Sequence, residues 1–77
     1  MRRIIHAVVF PDDESGYVGE VSELHVVTQG ETLDEVAENL REAVGLALEG
    51  EDLSQLGLDP EPMLSITLET DLVIATA

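Results

Sequence analysis

The stretch from Thr32 to Gly50, TLDEVAENLREAVGLALEG, has the residue pattern of an amphipathic α-helix. Its apolar residues recur at intervals of three and four, which places them along one side of a helix. They are Leu33, Val36, Ala37, Leu40, Ala43, Val44, Ala47 and Leu48. A helix of about five turns with one apolar side must bury that side against another element, so it constrains the rest of the chain.

Both ends of this stretch carry helix boundary signals. Thr32 and Glu35 form a capping box, in which side-chain oxygens accept hydrogen bonds from N–H groups that the first turn leaves unpaired. Glu31 and Asp34 add negative charge beside the positive end of the helix dipole. Gly50 stands just past the last apolar residue, where a left-handed conformation is commonly needed.

Four other stretches predict strands. Arg2 to Phe10 is rich in Ile and Val and is apolar on both alternating faces, as expected for a central strand. Tyr17 to Val21 and Leu24 to Thr28 are the second and third strands, and Met63 to Glu69 is the fourth. We expect Gln29-Gly30 to turn the chain from the third strand into the helix.

The C-terminal third contributes apolar side chains to the same body. In the fourth strand, alternation predicts three inward-facing residues, Leu64, Ile66 and Leu68. The connection before it is expected to contact the body through Leu53, Leu56 and Leu58. The final apolar stretch, LVIATA, would promote aggregation if exposed, so it should add to a sheet edge or meet another subunit.

The predicted order is β-β-β-α-β in a single domain spanning residues 1–77. The fold class is α+β, a four-stranded mixed sheet with one long amphipathic helix on one face. A right-handed crossover sets the last strand parallel to an earlier one. Because one helix covers one face, the far side of the first strand needs another cover. A second copy of the chain is the simplest candidate, so we expect a homodimer or higher homo-oligomer.

The composition is strongly acidic, with 17 Asp and Glu against 3 Lys and Arg and a formal net charge of −14. Direct binding to nucleic acid is not expected, because it depends on Lys and Arg contacts to phosphates. A basic protein is a better partner, while the alternative is that the acid only maintains solubility. The apolar runs are too short to span a bilayer and no signal-peptide cleavage site is visible, which predicts a cytoplasmic protein without membrane contact.

Residues with catalytic or metal-binding chemistry are sparse. The chain has no cysteine, and its two histidines are His6 and His25. A metal site would need both of them to converge with a carboxylate such as Glu23, at a spacing that is not a recognised ligand pattern. The alternative for His6 is a core or interface histidine. We predict no catalytic residues, no metal and no cofactor.

The run from Gly16 to Val36, GYVGEVSELHVVTQGETLDEV, resembles the HicB-like antitoxin domain. Members of that family read approximately as Gly-Tyr, a strand, Pro-Glu-Leu, a short strand, and Thr/Ser-Gln-Gly-Asp/Glu-Thr-Leu before an acidic helix. The Thr-Gln-Gly-Glu-Thr-Leu junction is the most specific part, and the similarity covers about residues 3 to 50. Ser22 replaces a frequent Pro and His25 a frequent Asp or Pro-Gly, so the turn before the third strand is expected to differ.

The resemblance implies a truncated ribonuclease H-like fold and a role in a type II toxin–antitoxin system. Such an antitoxin binds and neutralises HicA, a small basic toxin that cleaves messenger RNA, by covering its RNA-binding surface and catalytic histidine. The contact would be made by the acidic helix face, by an exposed strand edge, or by both. The candidate partner-binding residues are Asp34, Glu35, Glu38 and Glu42, for which the alternative is a solvated helix face. Many members carry a C-terminal DNA-binding domain, and residues up to Ala77 contain no basic helix for one.

Two other functions are compatible with this pattern. A solitary oligomeric HicB-like module would bind another protein without any toxin partner. A metal-dependent nuclease would need converging carboxylates, one of them in the first strand, to hold two Mg²⁺ ions. Arg2 to Phe10 contains no Asp or Glu, so we do not expect an enzyme.

Overall fold

The computed structural model describes residues 4–49, 62–70 and 72. In chain order the elements are β1 (Ile4–Pro11), β2 (Tyr17–Val21), a one-turn 3₁₀ helix (Ser22–Leu24), β3 (Val26–Gly30), α1 (Leu33–Leu48) and β4 (Met63–Leu68). The strands form a sheet in the order β3-β2-β1-β4. β1 and β3 are antiparallel to β2, and β4 is parallel to β1. The predicted α+β class, the mixed sheet and the central position of β1 are confirmed.

Helix α1 begins at the predicted cap. Thr32 has extended backbone, and its hydroxyl oxygen accepts a 3.1 Å hydrogen bond from the Glu35 N–H. The helix runs for 16 residues, slightly less than the expected five turns. At the other end the Glu49 N–H donates to the Leu46 carbonyl. The predicted C-terminal residue, Gly50, lies outside the described residues.

The core lies between α1 and one face of the sheet. Val36, Leu40 and Val44 of α1 are buried, at the four-residue spacing that the sequence predicts. They pack on the alternating residues of β1 and β2 that face the helix, namely Ile5, Ala7, Val9 and Val21. Leu33 remains largely exposed, so the buried stripe of the helix begins one turn later than predicted.

Two glycines let α1 lie close to the sheet. A Cβ atom on Gly19 would lie 2.9 Å from Leu40 Cδ1, and one on Gly30 would lie 2.6 Å from the Val36 amide nitrogen. A Cβ at such a distance would displace the Leu40 side chain at Gly19 and the helix backbone at Gly30. The backbone of α1 therefore comes closest to β2 and β3.

The third strand begins two residues later than predicted. Leu24 belongs to the 3₁₀ helix and packs against the core. His25 then adopts the left-handed conformation, with φ 54°, and its N–H donates to the Ser22 carbonyl. The predicted turn at Gln29-Gly30 was also wrong, because both residues end β3, and residues 31–32 make the turn.

The side chains of β4 that were predicted to point inward do face the helix side of the sheet, but two of the three are not buried. Residues Leu64, Ile66 and Leu68 pair with the helix-facing residues of β1. Leu64 packs against the core, whereas Ile66 and Leu68 are 39% and 45% exposed. Because α1 lies over β2 and β3, an open cleft separates it from β4.

Several predictions concern residues that are not described. These are the contacts of Leu53, Leu56 and Leu58, the start of the first strand at Arg2, and the pairing of the LVIATA stretch. Leu72, at the start of that stretch, is described and exposed.

Candidate partner-binding surface

The acidic residues of α1 form one exposed surface, here called the acidic face, consisting of Asp34, Glu35, Glu38 and Glu42. Asp34, Glu38 and Glu42 follow one another at four-residue spacing, which aligns them in a row along the helix. Glu35 lies beside the first turn of this row. All four side chains are exposed. Helix α1 therefore brings together the four residues predicted from the sequence.

One cation lies within the acidic face. Arg41 Nη1 is 3.5 Å from Glu38 Oε2, and the two side chains are 68% and 65% exposed. A solvent-exposed pair of this kind contributes a few tenths of a kcal/mol. Arg41 is the sole Lys or Arg in the described part of the chain. The pair was not predicted, although the three-residue spacing of Glu38 and Arg41 on a helix is a signal that could have revealed it.

The acidic surface continues around the N-terminal end of α1. A polar cleft of about 550 Å³ lies between the β1–β2 loop and the start of the helix. Four carboxylates line it, those of Asp12, Glu14, Glu31 and Glu35. Glu35 belongs to both the cleft and the acidic face. Periodicity could not predict this cleft, since its residues come from segments that only the sheet brings together.

The loop that supplies Asp12 and Glu14 is held by its own backbone. Asp12 donates its N–H to the Gly16 carbonyl, and Gly16 has a φ of +73°. This conformation is readily adopted by glycine and rarely by other residues. The loop therefore keeps its carboxylates beside the helix terminus.

The carboxylates give this surface hydrogen-bond acceptors and negative charge. Ionised carboxylates only accept hydrogen bonds, and Lys and Arg side chains are the donors that match them. Several like charges within one Debye length, about 8 Å at physiological salt, sum to a negative potential that attracts basic molecules.

The two histidines lie in different elements, His6 in β1 and His25 at the end of the 3₁₀ helix. A carboxylate oxygen of Glu23 accepts a 3.4 Å hydrogen bond from the His6 main-chain N–H, beyond the point where β2 has ended. His25 ends the 3₁₀ helix and is exposed. Over residues 4–49, 62–70 and 72, no three or more His, Asp or Glu side chains are arranged to hold a metal ion.

The sheet face that points away from α1, here called the outer face, has a different character. Strand pairing and alternation place eleven side chains on it. They are Ile4, His6, Val8, Phe10, Val18, Glu20, Val27, Gln29, Met63, Ser65 and Thr67. Glu20 is the one carboxylate in this set. A shallow cleft on this face is also lined by Glu23 and Glu69, so three carboxylates lie beside its apolar residues.

Hydropathy adds one structural finding. No helix among the described residues is long and apolar enough to cross a membrane.

Comparison with known proteins gives one partial relationship. The chain is similar to a UPF0150 protein of Synechocystis sp. (strain PCC 6803), with 48% identity over 44 residues. The aligned part covers 54% of this chain and 64% of that relative's length. No family model matches the chain, and no solved structure matches it. Part of this α+β chain is thus similar to part of a UPF0150 protein.

Proposed function

We propose that this chain is the antitoxin of a type II toxin–antitoxin system and neutralises a small basic, HicA-type toxin that cleaves messenger RNA. The observation that carries the proposal is the acidic face, in which Asp34, Glu38 and Glu42 form an exposed row, with Arg41 as the one Lys or Arg among the described residues. The resemblance of Gly16 to Val36 to the HicB-like domain supports this class of partner. The element order is also compatible with the truncated ribonuclease H-like fold that the resemblance implies.

The acidic face would bind the surface with which such a toxin holds RNA. A protein that grips RNA must present Lys and Arg side chains to phosphates. The acidic face offers those side chains a carboxylate every turn, roughly 5–6 Å apart. Binding there would cover the RNA-binding surface of the toxin and its active-site histidine. The toxin would be blocked by occlusion, without any reaction catalysed by this chain.

Opposite net charges also determine the kinetics of capture. With −14 on this chain, long-range attraction raises the association rate of a basic partner and orients it toward the acidic face. Salt at high concentration screens this attraction. The association rate should therefore fall steeply as ionic strength rises.

The first experiment is co-purification of this chain with the product of the adjacent gene, followed by a ribonuclease assay. The expected result is a stoichiometric complex that silences RNA cleavage. If no complex forms, the antitoxin proposal is rejected in favour of a solitary module for another basic protein. Mg²⁺-stimulated cleavage of RNA by this chain alone would reject its non-enzymatic role.

A second experiment locates the binding surface. The double variant Glu38→Lys/Glu42→Lys should weaken toxin binding at least about tenfold, or 1.4 kcal/mol, and should reduce its salt dependence. The matched control is Glu49→Lys/Glu69→Lys, which makes the same charge change at exposed positions outside the acidic face and its adjoining cleft. Equal losses of affinity in the two variants would show that only total charge matters.

A further inference from the structure

We propose that the side chain of Asn39 blocks the addition of a further strand to the sheet at β3. The inference concerns unwanted pairing between chains and goes beyond the proposed function. β3 is an edge strand of the described sheet, whose order is β3-β2-β1-β4. The main-chain groups on the outer side of an edge strand are a template on which another extended chain can pair.

The hydrogen bonds between β1 and β2 show how the main chain of β2 is oriented. Asp12 donates its N–H to the Gly16 carbonyl, one step beyond the last paired residues of these antiparallel strands. Hydrogen-bonded and non-hydrogen-bonded pairs alternate along such a ladder. Counting back from this bond, Val18 and Glu20 of β2 belong to the hydrogen-bonded pairs with β1. Their N–H and C=O groups therefore point away from β3.

A hydrogen bond on the other side of β1 agrees with this alternation. The Glu69 N–H donates to the Val9 carbonyl over 2.7 Å. Val9 lies opposite Gly19, in a pair that the alternation assigns as non-hydrogen-bonded between β1 and β2. Its main chain is thus directed toward β4, as the alternation requires.

The same alternation identifies the outward-pointing groups of β3. Gln29 lies opposite Val18, and Val27 lies opposite Glu20. Because Val18 and Glu20 bond to β1, the N–H and C=O groups of Gln29 and Val27 point outward from the edge of the sheet. An added strand would have to form its hydrogen bonds with these two residues of β3.

Asn39 already binds one of these outward groups. Its side-chain amide donates a 2.7 Å hydrogen bond to the Gln29 carbonyl. Paired strands lie only about 4.8 Å apart, so the Asn39 side chain lies where the backbone of an added strand would approach Gln29. Pairing is then restricted to Val27, and a single residue is too little for a stable ladder.

Apart from its short length, β3 lacks the features that usually prevent pairing at an edge. These features are lysine, proline, a bulge or an inward-pointing charge. The sequence of Val26–Gly30 is VVTQG, which contains no charged residue and no proline. Val27 is 69% exposed and β-branched, which favours a strand environment. Protection of this edge therefore depends on a group from another element, and α1 supplies it.

The test measures association of Asn39→Ala by sedimentation velocity and thioflavin T fluorescence. This variant should form larger, β-rich assemblies than the wild type. The concentration at which they appear should be roughly tenfold lower, since the Gln29 carbonyl becomes available for one more hydrogen bond per contact. All proteins are compared under conditions in which circular dichroism shows that they are folded.

Two further variants separate the edge from a general loss of stability. Thr32→Ala is the matched control, because it also removes one side-chain hydrogen bond of α1, that from the Glu35 N–H, and leaves the bond of Asn39 in place. It should associate no more than the wild type. Asn39→Ala/Val27→Lys places a lysine on the opened edge and should return association to the wild-type level.

Three results would overturn the proposal. The first is wild-type association in Asn39→Ala. The second is equal association in Thr32→Ala, which would attribute the effect to lost helix stability. The third is continued association in Asn39→Ala/Val27→Lys, which would show that the chains meet through a surface other than the β3 edge.

Discussion

The side-chain amide of Asn39 donates a 2.7 Å hydrogen bond to the main-chain carbonyl of Gln29, joining the second turn of α1 to strand β3. β3 lies at the edge of the described sheet. The bond therefore fixes an edge strand to the element that carries the acidic face. Its acceptor, Gln29, belongs to the Thr-Gln-Gly-Glu-Thr-Leu junction, residues 28–33.

Replacing the donor should release this contact. We expect Asn39→Ala to lower the free energy of unfolding by up to about 1 kcal/mol, because it removes this solvent-exposed hydrogen bond between α1 and β3. Asn39→Asp should cost at least as much, since a carboxylate cannot donate to the Gln29 carbonyl. Urea denaturation measures both. Wild-type stability in Asn39→Ala would mean that the bond contributes nothing.

Gly19 tests the close approach of α1 to β2. A methyl group there would lie 2.9 Å from the buried Leu40 side chain, so Gly19→Ala should destabilise the protein by about 1–3 kcal/mol through overpacking. The double variant Gly19→Ala/Leu40→Val should lose less than the two single losses added together, because the smaller side chain makes room. Thermal unfolding of the four proteins measures this coupling. Simple additivity would refute the steric explanation.

Substitution of Gly45 by alanine should raise the stability of the protein, whereas Gly19→Ala should lower it. Gly45 lies inside α1, is exposed, and a Cβ atom there would meet no other group within 4 Å. Gly45→Ala should therefore stabilise the protein by up to about 1 kcal/mol through helix propensity. An increase in the urea midpoint is the expected readout. A decrease would indicate that this position needs a glycine for contact with another molecule.

Substitutions of Thr32 test whether its hydroxyl caps the start of α1. Thr32→Ala removes the hydroxyl that accepts the Glu35 N–H and should cost about 1 kcal/mol of stability. Thr32→Asn should restore most of the loss, because asparagine is also a favoured cap. Hydrogen exchange at the Glu35 amide should rise in the alanine variant and return toward the wild-type rate in the asparagine variant. Equal exchange in all three proteins would contradict the cap.

Local patterns predicted most of the fold. The buried stripe of α1, the cap at Thr32 and strand β2 depend on periodicity and short-range hydrogen bonds, which the sequence displays directly. The start of β3 was not predictable in this way, because His25 adopts a left-handed conformation that is more typical of glycine. The exposure of Ile66 depends on where α1 lies across the sheet, and alternation along one strand contains no such information.

The candidate surface was predicted only in part. Glu38 and Glu42 share a face because helical geometry requires it, whatever the tertiary structure. The cleft that joins Glu35 to Asp12 exists only because the β1–β2 loop reaches the start of α1. Surfaces assembled from one helix can be derived from its residues, whereas surfaces assembled from several segments need the topology first.

The parallel pairing of β1 with β4 has a consequence for synthesis on the ribosome. Ile4 pairs with Met63, so β1 emerges long before its neighbour on one side is translated. Such non-local pairing slows folding, and until it forms, one edge of the most apolar strand stays open to pairing with other nascent chains. The β1 edge that β4 covers is therefore the part of the sheet that stays open longest while the chain is being made.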